Sequence, residues 1–130
     1  MLHKHNEELL AKKLEALKKD NKPNAVAFLE INHDLSAIID SIDQKEDSAQ
    51  IENQLQAVSD KLTTLNVGNV SEEDVNSINL YKRQVNSFIG EVRSYFNNGQ
   101  SADYYNLVIK EYNNVVDTMN EIDENKLDAK

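Results

Sequence analysis

Apolar residues recur at alternating spacings of three and four in four separate stretches of the chain. This spacing aligns side chains along one face of an α-helix. The pattern therefore predicts four helices of roughly 18–25 residues, each with one face turned toward a shared core. The predicted core positions, in chain order, are Phe28, Ile31, Leu35, Ile38 and Ile42; Ile51, Leu55, Val58, Leu62 and Leu65; Val75, Ile78, Tyr81, Val85, Phe88, Val92 and Tyr95; and Tyr105, Val108, Tyr112, Val115, Met119 and Ile122.

A shorter helix precedes these four, over about residues 5–20. Leu10, Leu14 and Leu17 share one face of this segment, and lysine and glutamate dominate the rest of it. Pro23 disfavours helix at the residue before it, so the first helix must end there.

Polar and glycine-containing segments predict the boundaries of the next two helices. Asn24 is positioned to cap the helix that follows Pro23. Charged residues interrupt the apolar face near 45–48, where we expect a bend or short loop with Ser48 as the next cap; a single curved helix over 25–65 is the alternative. Gly68, in a polar stretch, is the expected breaker at the end of the third helix.

The last two helices are separated by the clearest turn in the chain, residues 97–101. Gly99 can adopt a positive φ angle there, and Ser101 can cap the helix that follows. The fourth helix begins near Ser71 with three acidic residues, which suits the dipole at a helix N-terminus. Gly90 lies off its apolar face and should weaken that helix without breaking it.

Short connections make neighbouring helices antiparallel. The predicted fold is thus an all-α, up-and-down helical bundle of four main helices plus a shorter N-terminal helix. We divide the chain into a basic N-terminal helix and linker at 1–22, a bundle domain at 23–126 and a frayed polar tail at 127–130.

Composition narrows the classes of function. The chain has 130 residues, with three glycines and one proline. It contains no cysteine, which excludes a disulfide scaffold, a thiolate metal site and a cysteine nucleophile. The longest apolar run is Ala25–Leu29, too short for a transmembrane helix. The net charge of −9 disfavours nucleic acid as a direct ligand.

Charge is unevenly distributed along the chain. Residues 1–22 carry six lysines against four acids, whereas residues 23–130 carry eight basic residues against nineteen acids. The first helix is therefore a solvated basic segment on an acidic body, or a segment that lies near a membrane surface or an acidic partner.

No catalytic, cofactor or metal residues are predicted. Glu30 and His33 form one Glu-x-x-His motif, but a di-iron bundle needs two such motifs on core positions, and His33 falls on the outer face. His3 and His5 could bind a metal only adventitiously. No Asp or Glu occupies a predicted core position, so an acid–base site has little support.

Aromatic residues gather on the last two helices and flank the turn between them. Tyr95, Phe96, Tyr104 and Tyr105 should meet at one end of an antiparallel pair. They either cap the core with their hydroxyls in water or form an exposed patch that anchors a partner. These four are the candidate partner-binding residues.

The segment YNLVIKEYN, from Tyr105 to Asn113, resembles a motif of the LemA family of membrane-anchored helical bacterial proteins. Two Tyr-Asn pairs stand seven residues apart, with the branched Ile109 between them. The resemblance covers nine residues, and the family's N-terminal membrane helix and Asp-Leu-Ile-Pro-Asn-like segment are missing from this sequence. We do not assign the family; the resemblance only favours an extracytoplasmic bacterial helical module.

The leading hypothesis is a non-enzymatic protein-interaction module of bacterial or phage origin, whose partner is another protein. One alternative is an extracytoplasmic, lipoprotein-like envelope domain that reaches the membrane through a removed anchor. Another is a small acidic inhibitor or immunity protein that blocks a basic site. The sequence leaves the location open between the cytoplasm and the bacterial cell envelope. The bundle could also complete its core by oligomerising.

Overall fold

The computed structural model describes the backbone of residues 2–129 and the side chains of residues 7–129. Over these residues the chain is all-α and contains no strand, as predicted. None of its described helices is both long and apolar enough to cross a membrane. The helices are α1 (Leu2–Lys19), α2 (Pro23–Asp43), α3 (Ser48–Thr64), α4 (Glu72–Asn97) and α5 (Ala102–Asn120), with short 3-10 turns at Val67–Asn69 and Glu124–Lys126.

The four main helices form two antiparallel hairpins, α2–α3 and α4–α5, within which the helices pack closely. In the second hairpin, the ring centroids of Tyr95 and Tyr105 are 6.0 Å apart, and those of Phe88 and Tyr112 are 6.1 Å apart. Within each pair, the two residues lie equally far along the chain from the turn. This symmetry fixes the antiparallel register.

Contacts between the hairpins close the bundle. Arg93 of α4 reaches Glu52 of α3, with its Nη2 atom 2.6 Å from Oε1. The Tyr105 hydroxyl of α5 donates to Asp43 of α2 over 2.7 Å. Each helix of one hairpin therefore lies against one helix of the other, in an up-and-down arrangement.

The core follows the apolar spacing of the sequence. All ten predicted core positions of α2 and of the segment Ile51–Leu65 are buried. Burial of each such Ile or Leu side chain stabilises the fold by about 1.5–3 kcal/mol. The predicted positions that are only half-buried are Val75, Tyr95, Tyr105, Tyr112, Met119 and Ile122. Three of the six lie on α5 and Ile122 follows its end, so α5 leaves part of its apolar face uncovered.

Both predicted boundary residues of α3 differ in the structure. Residues 25–65 form two helices, and the second is capped by Asp47, whose carboxylate accepts a hydrogen bond from the Gln50 backbone N–H at 2.9 Å; Ser48 is its first residue. Gly68 does not end α3, which stops at Thr64; it lies within the first 3-10 turn. An aspartate one residue earlier can perform the capping expected of a serine.

The turn between α4 and α5 is confirmed. Gly99 has a φ angle of 74°, and the Ser101 hydroxyl accepts a hydrogen bond from the Tyr104 backbone N–H at 3.3 Å. Gln100 also adopts a positive φ angle, of 57°. The reversal is therefore built from two consecutive left-handed residues.

Asn24 does not cap α2, contrary to the prediction. The helix begins at Pro23, and Asn24 is fully buried in its first turn. Its Nδ2 atom donates to the carbonyl oxygens of Asn66 and Leu127, at 2.8 Å each, and its Oδ1 atom accepts from the Asn66 N–H at 2.7 Å. The side chain thus joins the start of α2, the α3–α4 connection and the C-terminal segment.

The C-terminal segment is docked rather than frayed, which corrects the expectation for 127–130 over its described residues. Leu127 is fully buried in the core. The Asp128 carboxylate accepts hydrogen bonds from the backbone N–H groups of Asn24 and Ala25, at 2.9 and 3.0 Å. The first turn of any helix has free N–H groups that need acceptors, and this carboxylate supplies them for α2.

α1 lies outside the four-helix arrangement, against α2. Its three stripe residues, Leu10, Leu14 and Leu17, are half-buried. Among the described residues, the half-buried side chains that pack on the core include Leu29 and Ile122 but none of these three leucines. α1 therefore forms an added layer on a bundle whose core is complete without it.

Candidate functional site

A cleft of about 550 Å³ lies between α1 and the side of the bundle formed by α2 and the end of α5. We call it the α1 cleft. Phe28 and Leu29 of α2 form one part of its apolar lining, and Met119 in the last turn of α5 and Ile122 just after it form another. Leu10 of α1 provides the remaining apolar contact from the opposite side. The cleft is thus an apolar seam that α1 covers only in part.

The rim of the α1 cleft is polar and acidic. Its polar lining residues are Glu7, Asn32, His33, Ser36, Asp123 and Glu124. Three of these carry carboxylates, and within the described part of the chain no lysine or arginine lines the cleft. Apolar groups with positive charge therefore match this surface better than anionic ones.

The local sequence explains why α2 has a second apolar face here. Leu29 follows the core residue Phe28 directly, so it projects about 100° around the helix from the core direction. His33 and Ser36 follow it at spacings of four and three, which places all three on one stripe facing the cleft. This second stripe is too short and too polar to form another core.

One ion pair fastens α1 across the cleft. Lys13 of α1 donates to Oε1 of Glu124, whose side chain is only 20% exposed. The other carboxylate oxygen of Glu124, Oε2, is buried and has no hydrogen-bond partner. A buried acceptor without a partner is unfavourable, so this carboxylate can accept a further donor.

Asn32 is held in place from inside the bundle. The hydroxyl of the buried Tyr81 donates a hydrogen bond to its Oδ1 atom. Burial raises the pKa of Tyr81, so its hydroxyl stays protonated and remains a donor at neutral pH. Phe28 packs on the Tyr81 ring with the centroids 5.0 Å apart. This side of the cleft is therefore anchored to the buried core through Tyr81.

Three of the four candidate partner-binding residues meet at the opposite end of the bundle. The rings of Tyr95 and Phe96 form an edge-to-face pair at 5.1 Å, and Tyr95 also contacts Tyr105. Tyr104 makes no contact with another aromatic ring in the part of the chain that the structure describes. All four side chains are half-buried.

The Tyr105 hydroxyl is hydrogen-bonded within the molecule. It donates to the Asp43 carboxylate, and this hydrogen bond, with a smaller contribution from burial, raises the pKa of Tyr105. Its hydroxyl thus joins α5 to α2. The role of the aromatic residues as a partner surface stays a prediction.

A second depression, of about 700 Å³, lies beside Phe96, between the α2–α3 loop and the end of α4. It is lined by the Arg93–Glu52 ion pair and by Lys45. The hydrogen bond from Arg93 is the main cause that lowers the pKa of Glu52. Charges of both signs line this depression, so it favours no single charge of ligand.

The metal candidates can be placed only in part. His33 is exposed at the edge of the α1 cleft, as its position on the outer face predicted. Glu30 lies near Lys61, with Oε2 3.8 Å from Nζ. Over the described side chains, no group of three His, Cys, Asp or Glu residues could hold a metal ion. The side chains of His3 and His5 lie outside the described residues.

The sequence did not predict the α1 cleft. Its signal was present in Leu29, which widens the apolar face of α2 beyond what the core needs. Assigning that face to a cleft requires knowing that α1 lies over it and that α5 ends beside it.

Comparison of the chain with protein-family models, with curated proteins and with solved structures finds no match. The LemA resemblance thus remains limited to residues 105–113. Two of those residues, Tyr105 and Tyr112, pack against the core of the bundle, as a seven-residue repeat on any core-facing helix would.

Proposed function

We propose that this protein is a non-enzymatic helical interaction module that binds another protein through the α1 cleft. The observation that carries the proposal is the apolar lining that α1 leaves partly uncovered, formed by Leu29, Met119 and Ile122. Protein-binding surfaces commonly combine an apolar centre with a polar rim, and the cleft has this arrangement.

Charge favours a basic partner. The body of the protein, residues 23–130, carries nineteen acids against eight basic residues, and its Asp123 and Glu124 border the cleft. Complementary charge accelerates association and selects among partners. The acidic-inhibitor hypothesis belongs to the same class of interaction and differs in that binding would depend on charge more than on apolar contact.

The aromatic end is the second candidate surface. Phe96 is half-buried beside a depression that could receive a side chain. The aromatic end has less support than the α1 cleft, because charges of both signs line the depression and the Tyr105 hydroxyl is already hydrogen-bonded to Asp43.

The test is capture of a partner from a lysate of the source organism, at low and high salt. Wild type is compared with Leu29→Glu, which places a charge in the cleft, and with Leu107→Glu, a control at an exposed leucine on the far part of α5. We expect a protein that wild type and Leu107→Glu capture and Leu29→Glu does not, while thermal unfolding shows that all three variants fold.

Other outcomes would redirect the proposal. A partner that Leu29→Glu retains and Phe96→Ala loses would move the site to the aromatic end. A partner that is lost at high salt and insensitive to Leu29→Glu would favour the acidic inhibitor. Capture of no protein in either salt would count against an interaction module.

A further inference from the structure

We propose that the α1 cleft recognises a basic amphipathic helix, and that α1 covers the cleft in the free protein as an internal substitute for that helix. This inference rests on the proposed function and specifies the chemistry of the partner. Its starting point is the segment that already lies on the site.

α1 has the properties that the cleft selects. It belongs to the one basic stretch of the chain, residues 1–22, whereas the rest of the chain is strongly acidic. It packs against α2, its Leu10 lines the cleft, and its Lys13 forms an ion pair with Glu124 on the rim. An apolar stripe flanked by lysine thus already contacts this surface.

α1 is held more weakly than the other helices. Leu10, Leu14 and Leu17 are half-buried, and Leu9 beside them is 52% exposed. Apolar contact stabilises in proportion to the area removed from water, so these residues contribute less than fully buried ones. A three-residue connection, with Asn21 at a φ angle of 56°, joins α1 to α2. Because the bundle core contains none of its leucines, α1 can leave without opening the core.

The fit of α1 is also incomplete. A volume of about 550 Å³ remains between α1 and the bundle, and Oε2 of Glu124 is buried without a partner. A helix with larger apolar side chains could fill that volume, and a second lysine or arginine could satisfy the oxygen. Such a helix would bind the cleft better than α1 does. α1 competes only because it is tethered at high effective concentration.

The test uses the full chain and a fluorescent synthetic peptide with the sequence of residues 2–19. Two variants are designed to release α1 while keeping the bundle side of the cleft intact. Leu14→Glu places a charge on a half-buried leucine that does not line the cleft, and Lys13→Glu breaks the ion pair. If α1 covers the cleft for at least about nine-tenths of the time, release should tighten peptide binding by about tenfold or more. Circular dichroism would show that each variant keeps the bundle.

Two controls test the chemistry of recognition. A peptide of the same composition with its leucines scattered around the helix should bind at least about tenfold more weakly, because it lacks the stripe. Glu124→Gln, combined with Leu14→Glu, should weaken binding of the original peptide and reduce its dependence on salt.

Each of the following results would overturn the proposal. Equal affinity of wild type and both release variants would show that α1 does not cover the site. Equal binding of the scattered-leucine peptide would show that no amphipathic helix is recognised. A wild-type dimer in light scattering that disappears in Lys13→Glu would identify the occupant as α1 of a second copy.

The failure of this inference is distinguishable from that of the proposed function. Capture of a protein through Leu29 without any peptide binding would preserve the interaction module and reject the basic helix. Tight peptide binding by the released variants without any captured protein would support helix recognition and count against the interaction module.

Discussion

The side-chain amide of Asn24 donates a hydrogen bond to the backbone carbonyl of Leu127, 103 positions further along the chain. The same side chain exchanges two hydrogen bonds with the backbone of Asn66. Asp128 then accepts from the backbone N–H groups at the start of α2. One buried side chain therefore holds three segments together at the base of the bundle.

Asn24→Ala should destabilise the protein by about 2–4 kcal/mol, because it leaves the partner groups of Asn66 and Leu127 without bonds in a buried site. Urea denaturation would measure the loss. Asn113→Ala, at an exposed position of α5, is the matched control and should cost less than about 0.5 kcal/mol. If Asn24→Ala costs as little as Asn113→Ala, water replaces the hydrogen bonds of the Asn24 side chain.

Leu127→Ala should cost about 2–4 kcal/mol, because Leu127 is fully buried and its truncation leaves a cavity. Lys126→Ala, at the exposed neighbouring residue, should have little effect. Thermal unfolding of the two variants decides between a docked and a frayed C-terminal segment. Equal midpoints for both would favour fraying.

The sequence predicted the helices well and this junction badly, for a physical reason. Periodic spacing reports any face that repeats over several turns, as in Phe28–Ile42 and Ile51–Leu65. Leu127 is a single apolar residue among polar ones, and Asn24 is polar, so neither contributes to a period. Their burial depends on segments that are distant in the sequence and meet only in the folded chain.

Ile38→Ala should cost roughly 2–5 kcal/mol through the cavity it leaves, since Ile38 is completely buried in α2. His33→Ala, on the exposed side of the same helix, should leave stability almost unchanged. Guanidinium denaturation of the two variants would check this contrast. Similar costs would indicate that α2 is rotated about its axis relative to this structure.

Replacement of two glycines by alanine should change stability in opposite directions. Gly90 is helical, and an added Cβ would meet no atom within 4 Å beyond the adjacent backbone of its own helix. Gly90→Ala should therefore stabilise by about 0.5–1 kcal/mol. Gly99 has a positive φ angle, so Gly99→Ala should destabilise by about 1 kcal/mol. A shift of the same sign in both melting temperatures would contradict the turn geometry.

Stability should fall in alkaline solution because of Tyr81. Burial raises its pKa in the folded protein above the ordinary value of 10.0, so the unfolded chain releases this proton first. The stability that the protonated Tyr81 contributes to the fold is complete below about pH 10 and is lost as the pH rises beyond it. Tyr105, whose pKa is raised chiefly by its hydrogen bond to Asp43, acts in the same direction.

Urea denaturation at several pH values between about 8 and 11 would measure how stability depends on pH. Tyr81→Phe should flatten the decline, although loss of the bond to Asn32 lowers its stability at every pH. Tyr104→Phe is the matched control and should keep the wild-type slope. An identical slope in the Tyr81→Phe variant would refute the assignment to Tyr81.

The α1 cleft lay beyond sequence reasoning for a different reason. The sequence indicates that Leu10 shares a face with Leu14 and that Leu29 lies outside the core seam. It does not indicate how deeply α1 packs, because a half-buried and a fully buried leucine stripe have the same spacing. The packing depth decides whether a cleft exists, and it depends on where the end of α5 lies.

From the two hairpins we expect an order in which the chain assembles. Each joins helices that are adjacent in sequence through only four residues, so its contacts form with little loop-closure entropy. The bonds of Asn24 close loops of 42 and 103 residues and should form after both hairpins. A contact made late in folding slows unfolding more than it speeds folding. We therefore expect the junction at Asn24 to set the lifetime of the folded molecule and to leave its folding rate almost unchanged.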